Sequence, residues 1–325
     1  VTMPGLPMFG HGQIEGLREK YGMEYRRAYW KEEPNTGLVQ AHERYIFPLL
    51  RRRRLFAGSE SFLLYDLHTP EGHVNKDVFA YSNRLGDERC LVVYHNRYAQ
   101  TRGTIHTSVP YAVPVGEETV LVRKSLGEGL DLHDDPAAFC IFCDHVSGLE
   151  YIRSSQELHN RGLYLELEAY QRHVFLDFRE VWHDDSHPYA DLAAYLDGRG
   201  VPSVEKAMGE VLLQPIHVPF KELIGAATFR SLVAARVLHA DAQPDPLAIQ
   251  RVRGAAARLV QAIAEAENSD SGADAVTDEI VRRLIAALRL PVLTDATWCI
   301  ASPDCQAAVS LVNRHLDDDL GAWGI

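Results

Sequence analysis

Three textures of apolar and polar positions succeed one another along the chain. Up to about residue 57 an apolar start, "VTMPGLPMF", overlaps the glycine-rich "GLPMFGHGQIEG" (Gly5 to Gly16). A polar segment then leads to "GLVQAHERYIFPLLRRRRLF". There Leu38, His42, Tyr45, Leu49 and Arg53 keep helical spacing, and Val39, Ile46 and Leu50 widen the apolar face. The order predicts a strand, a long loop and a helix kinked at Pro48, where a backbone donor is missing. One βα unit cannot bury both faces of its own strand.

From about residue 58 to 182 the period falls to two. "SFLLYDL", "DVFAYSN", "RCLVVYHN", "FCIFCDHV", "GLYLELEAY" and "QRHVFLDFREV" are short runs separated by turn material such as "TPEGH" and "RLGDE". In "GLYLELEAY", Leu163, Leu165 and Leu167 point one way, while Tyr164, Glu166 and Glu168 point the other. An antiparallel sandwich is the expected sum.

Past "HDDSHPYA" the chain turns alanine-rich and helical. "ADLAAYLDGRG" ends on Gly198 and Gly200, and "SVEKAMGEVLLQPI" opens with Ser203 as a cap and stops at Pro215. "AIQRVRGAAARLVQAIAEAEN" and "DAVTDEIVRRLIAALRL" follow with helical periodicity, separated by the loop "SDSG" at 269–272. The expected fold class is multi-domain α+β: a βα unit over 1–57, a β-sandwich over 58–182 and an α-helical domain over 183–325.

Composition narrows the function classes. With 325 residues, 46% of them hydrophobic, the chain can build several cores. A formal charge of −12 argues against nucleic acid or an anionic membrane as partner. No apolar run reaches the roughly 18 residues of a membrane helix, and no signal-peptide pattern opens the chain. A cytoplasmic address is the expectation. Val1 is not an initiator methionine, which leaves room for a longer chain upstream.

Five widely spaced cysteines suit a reducing compartment. Cys140 and Cys143 form a CxxC within an apolar strand, where a spacing of three puts them on opposite faces. "HDDSH", His183 to His187, holds ligand-type residues but reads as a solvated linker. Neither is taken as a metal site.

The order of a βα unit followed by antiparallel strands, together with particular residues, resembles the α-amylase family of glycoside hydrolases. The eighth barrel strand of that family commonly runs into a pattern like G-x-P-x-I-Y-Y-G-D-E-x-G, whose glycine and proline positions Gly5, Pro7, Gly12 and Gly16 match. "YRRAYW", Tyr25 to Trp30, is similar to the loop that follows, and "LLRRRRLF" to the end of the eighth helix. "DVFAYSNRLGDERCLVVYHN" resembles the hairpin of the C-domain and is the most specific match. The resemblance covers about residues 1 to 182 and leaves the helical domain unassigned. The chain departs from the pattern where Gln13 and Ile14 replace its acidic pair and Gly10 and His11 its tyrosines.

The resemblance implies the end of a (β/α)8 catalytic barrel and its C-domain, in an enzyme acting on α-glucan or a related oligosaccharide. A retaining glycosidase needs two carboxylates about 5 Å apart. The family takes them from the fourth and fifth barrel strands, which this chain does not contain, so no catalytic residue is assigned and the chain alone is expected to be inactive. His11, Gln13, Glu15 and Trp30 are the candidate substrate contacts, because barrel enzymes build their sites from such loops. The alternative is that Gly5 to Gly16 only closes a turn.

Tyr21, Tyr25 and Tyr29 either stack on sugar or pack on the barrel, and Arg51 to Arg54 are placed to complement a helix C-terminus. No cofactor is identified; calcium is allowed in a full-length protein of this family. The expected partner of residues 1–35 is an upstream barrel or another chain. The competing reading is a stand-alone binding or assembly module with a vestigial barrel segment. No P-loop, dinucleotide glycine pattern or G-x-S-x-G elbow is present.

Overall fold

Alternating side chains after residue 58 produce strands, and their inward members meet in a single core. A computed structural model of the chain describes residues 1–19, 27–239, 241–267 and 272–294. The chain divides into two compact units, Val1–Val211 and Leu212–Ile325.

The first unit contains β1 (Leu63–His68), β2 (Val78–Leu85), β3 (Glu88–His95), β4 (Thr101–Ser108), β5 (Tyr111–Val115), β6 (Glu118–Val122), β7 (Ala138–Asp144), β8 (Glu150–Ser154), β9 (Leu163–Leu167) and β10 (Arg172–Trp182). Eight of them form one antiparallel sheet in the order β8-β7-β10-β3-β2-β1-β4-β9, and β5 pairs with β6 in a separate ribbon. At the centre, β2 and β3 run in register from Val78 opposite His95 to Leu85 opposite Glu88. Gly86 and Asp87 close that hairpin, with Gly86 at φ 60°.

Two facing sheets were the expectation, but a single curled sheet is observed. Its inward residues come from nearly every strand and share one cluster: Tyr65 and Leu67 of β1, Ala80 of β2, Val93 of β3, Ile105 of β4, Phe142 of β7, Leu163 of β9 and Phe175 of β10. Only a sheet bent round on itself brings such residues together, and the usual strand twist supplies the bend.

Two groups of helices cover the outer surface of the sheet. The expected first helix is segmented as α1 (Thr36–Ala41), a π turn (His42–Ile46), α2 (Phe47–Arg51) and α3 (Arg53–Ala57). The π turn lies immediately before Pro48, where the lost donor and the ring's bulk disfavour a regular turn. Leu49, Leu55 and Phe56 from these helices pack on Tyr81, Cys90, Val92, Val174 and Leu176.

On another part of the outer face, α6 (Tyr189–Leu196) and α7 (Val204–Leu212) set Leu192, Leu196, Val204 and Met208 against Phe139, Ile141 and Ile152. The compact unit therefore runs past the expected boundary at residue 182. Ser203 caps α7 as expected, its Oγ accepting the Lys206 N–H at 3.3 Å. Two short helices, α4 (Leu126–Gly129) and α5 (Ser155–Asn160), lie between strands.

The expected strand over "MPGLPMF" does not form, and no strand is present among described residues 1–19. The described structure offers that segment no strand to pair with. It is tied down by Arg53, whose guanidinium donates to the carbonyls of Val1 (2.9 Å), Met3 (2.8 Å) and Gly5. Leu6 and Met8 are left 86% and 82% exposed.

The second unit contains α8 (Gln214–Ile224), α9 (Ala226–Ala234), α10 (Pro246–Ala266), α11 (Ala273–Arg289) and a 3-10 turn (Leu290–Thr294). Pro215, placed as the stop of the preceding helix, lies in the first turn of α8, where its missing donor costs nothing. Asp245 caps α10 by accepting the Leu247 N–H at 3.0 Å. The α10 helix buries Ala248, Val252, Ala255 and Ala256, small residues that allow close helix packing.

Candidate functional site

Two neighbourhoods of the first unit carry groups that could meet a ligand. The first is the glycine loop. Gly12 and Gly16 have φ of 67° and 74°, and a Cβ would stand 2.6 Å from Leu17 Cβ at Gly12 and 2.9 Å from Leu38 Cδ2 at Gly16. Both positions therefore need glycine for conformation and for space.

Gln13 closes the turn on itself: its N–H donates to the Gly10 carbonyl at 3.1 Å, and its Oε1 accepts the Gly10 N–H at 3.0 Å. The Glu15 carbonyl accepts the Asn35 N–H at 2.8 Å, and Asn35 Oδ1 caps α1 through Leu38 N–H at 3.1 Å. The loop is thus fastened to the start of the helix. Phe9 meets His42 edge to face, with ring centroids 6.4 Å apart.

His11 and Gln13 are both exposed on this turn, and Glu15 is half-buried. Trp30 is exposed and placed by a different anchor. The Glu19 carboxylate accepts the N–H groups of Tyr29 (2.8 Å) and Trp30 (2.9 Å), and Glu32 in turn accepts Arg18 N–H at 2.6 Å. The indole is presented to solvent while its backbone is held. Tyr21 and Tyr25 lie outside the described residues.

The second neighbourhood lies where the sheet fails to close. The edges β8 and β9 do not pair, and a cleft of about 940 Å³ between them reaches Gln171, His173 and Phe175 on β10 and the strand's approach. At its inner end His173 Nδ1 lies 3.0 Å from Asp144 Oδ2. The buried carboxylate also accepts from Ser147 Oγ (2.8 Å) and from the N–H groups of Val174 (3.1 Å) and Val146 (3.2 Å). Burial pushes the Asp144 pKa up, but its hydrogen bonds to His173 and Ser147 outweigh that and hold it below the ordinary carboxylate value.

With Nδ1 donating to Asp144, His173 Nε2 is an acceptor and takes an N–H from the Gln171 amide at 3.1 Å. The arrangement is an oriented imidazole capped by an amide. Among the described residues its ring nitrogens are bonded to Asp144 and Gln171 and to no nucleophile. Sequence reasoning missed this pair because the two residues are 29 positions apart; the available signal was a lone Asp ending "FCIFCD" and a lone His opening "HVFLDF".

Other expected features resolve locally. Cys140 joins the inward core, while Cys143 is half-buried on the opposite face, as the spacing of three requires. In "HDDSH", Asp184 Oδ1 accepts from the N–H groups of Ser186 (2.8 Å) and His187 (2.7 Å), which makes the segment a turn. Among the described residues, no group of three or more His, Cys, Asp or Glu is placed to hold a metal ion. Within the basic run, Arg52 pairs with Asp177 at 2.6 Å and Arg53 holds the N-terminal segment, tasks more specific than complementing a helix end.

Comparison with known protein families and with curated proteins yields no match to this chain. No helix among the described residues is long and apolar enough to cross a membrane.

Proposed function

We propose that the chain is the C-terminal portion of an α-amylase-like glycoside hydrolase acting on α-glucan-type carbohydrate, with its catalytic carboxylates on barrel strands preceding Val1. The observation that carries this reading is the pairing of an exposed, unpaired apolar segment with a fastened glycine turn. Leu6 and Met8 face solvent, Arg53 holds the backbone before them, and Gly12 and Gly16 shape the turn that follows. Beside the preceding strands of a barrel the segment would gain edges to pair with and faces to cover. The turn would then stand at the strand's C-terminal end, where barrel enzymes bind substrate.

In this reading residues 1–57 complete the barrel, and the curled sheet is the C-domain that follows. The β2–β3 hairpin at its centre is the segment most similar to the family's own. His11, Gln13 and Trp30 offer a ring nitrogen, an amide and an indole to sugar hydroxyls and ring faces, and Glu15 sits behind them. The test uses the enzyme containing both barrel and this chain. His11→Ala should lower kcat/KM about tenfold or more with little change in melting temperature. Unchanged kinetics would return the loop to a purely structural turn.

A further inference from the structure

The cleft between β8 and β9 has a volume within the ~300–1,000 Å³ typical of small-molecule sites. Its lining closes one of its two sheet edges to an added strand and leaves no net charge for an anion. An added peptide strand would need a free sheet edge, and the β8 edge is already occupied. Glu150 exchanges backbone hydrogen bonds with Val201 at 2.8 and 2.9 Å, and the Arg153 guanidinium donates to the Ile152 carbonyl at 2.8 Å.

An anion would need available guanidinium groups. Arg153 also donates to the Gly198 carbonyl at 2.8 Å, and Arg199 donates to the carbonyls of Leu196 and Tyr195, each at 2.9 Å. Arg161 lies 3.7 Å from Glu157. The cleft's three arginines, 153, 161 and 199, are matched by three acids, Glu157, Glu166 and Asp197, so its formal charge is zero.

What remains suits a neutral ligand with many hydroxyls. Tyr164 is 47% exposed on the β9 edge, and its hydroxyl donates to Glu166 Oε1 at 2.9 Å, placing an aromatic face beside a carboxylate acceptor. Lining the cleft just before β10, the Gln171 amide accepts the Glu168 N–H on its oxygen at 2.7 Å and gives one N–H to His173, so its second N–H is the donor for a ligand hydroxyl. Asp144 orients this donor through His173. Aromatic face, acceptor and oriented donor are the groups that recognise a sugar ring.

The geometry points to a binding site for a neutral oligosaccharide in the cleft between β8 and β9, a second place on this chain besides the glycine loop. That the oligosaccharide is an α-glucan rests on the function proposed above. The probes are maltopentaose and cellopentaose, titrated into the chain by calorimetry. Maltopentaose should bind, and Tyr164→Ala and Gln171→Ala should each weaken binding about tenfold. Tyr164→Phe, which keeps the ring, should retain most of the affinity, and Leu121→Ala, on the exposed β5–β6 ribbon outside the cleft lining, should leave it unchanged; thermal melts of the four variants confirm folding.

Cellopentaose bound instead, with the same sensitivity to Tyr164 and Gln171, would uphold the cleft and overturn the α-glucan assignment. Binding of neither sugar, binding indifferent to both residues, or loss on Leu121→Ala would overturn the cleft as the site.

Discussion

His173 and Asp144 join the start of β10 to the end of β7 by a 3.0 Å hydrogen bond at the inner end of the cleft. Because Asp144 is nearly fully buried and accepts from several donors, removing it strands all of them. Asp144→Ala should cost about 3 kcal/mol of stability, measured by chemical denaturation. The folded-state pKa is depressed, so the stabilisation is present above the ordinary value of 3.8 and is lost as pH falls through the lower folded value. Wild type should therefore lose stability below about pH 4 more steeply than Asp144→Asn. Parallel pH profiles would show that the carboxylate is not the acid-sensitive group.

Gly103 on β4 tests how tightly the curled sheet is packed. A Cβ there would stand 2.4 Å from the His68 carbonyl oxygen, a backbone atom of the neighbouring strand that cannot swing aside. Gly103→Ala should destabilise by about 2 kcal/mol or more, whereas Gly58→Ala, with open space around it, should stay within about 0.5 kcal/mol of wild type. Equal effects in thermal melts would mean that β1 and β4 are less closely apposed than described.

Thiol reactivity should follow the faces of β7. Burial pushes the Cys90 thiol up to about 12 and Cys140 higher still, so neither forms thiolate near neutral pH. Cys143, half-buried, should be alkylated first among the three described cysteines, as read by peptide mass mapping. Labelling of Cys140 as fast as Cys143 would contradict their opposite placement.

Arg53 makes more hydrogen bonds to the N-terminal segment than any other side chain, alongside the Thr2–Tyr81 hydroxyl contact at 2.7 Å. Arg53→Ala removes donors to the carbonyls of Val1, Met3 and Gly5 without touching the buried Leu55 and Phe56. Protease cutting before Trp30 should accelerate several-fold in this variant, while the fragment containing β1 to β10 persists. An unchanged digestion pattern would show that something other than Arg53 anchors the segment.

Local periodicity told more than it could about closure. Leu163 and Leu167 are buried and Tyr164 is exposed, as strict alternation requires, and Pro48 marks the break in the first helix. Alternation names the faces of a strand and leaves its neighbours open, so a pattern that predicts two facing sheets is met by one curled sheet. Composition alone groups α6 and α7 with the helical region, since nothing local shows that Leu192 and Met208 pack with Phe139 and Ile152. The glycine turn was legible because its positive φ values demand a particular residue. The Asp144–His173 pair was not, because a contact across 29 residues leaves no spacing signature.

We propose that this chain completes an active site whose carboxylates come from elsewhere. The most direct test is hydrolysis of maltodextrin by the chain alone and by the protein joining it to the preceding barrel strands. The chain alone should give no turnover above background, and the joined protein measurable turnover. Turnover by the chain alone that disappears on Glu15→Gln would contradict it.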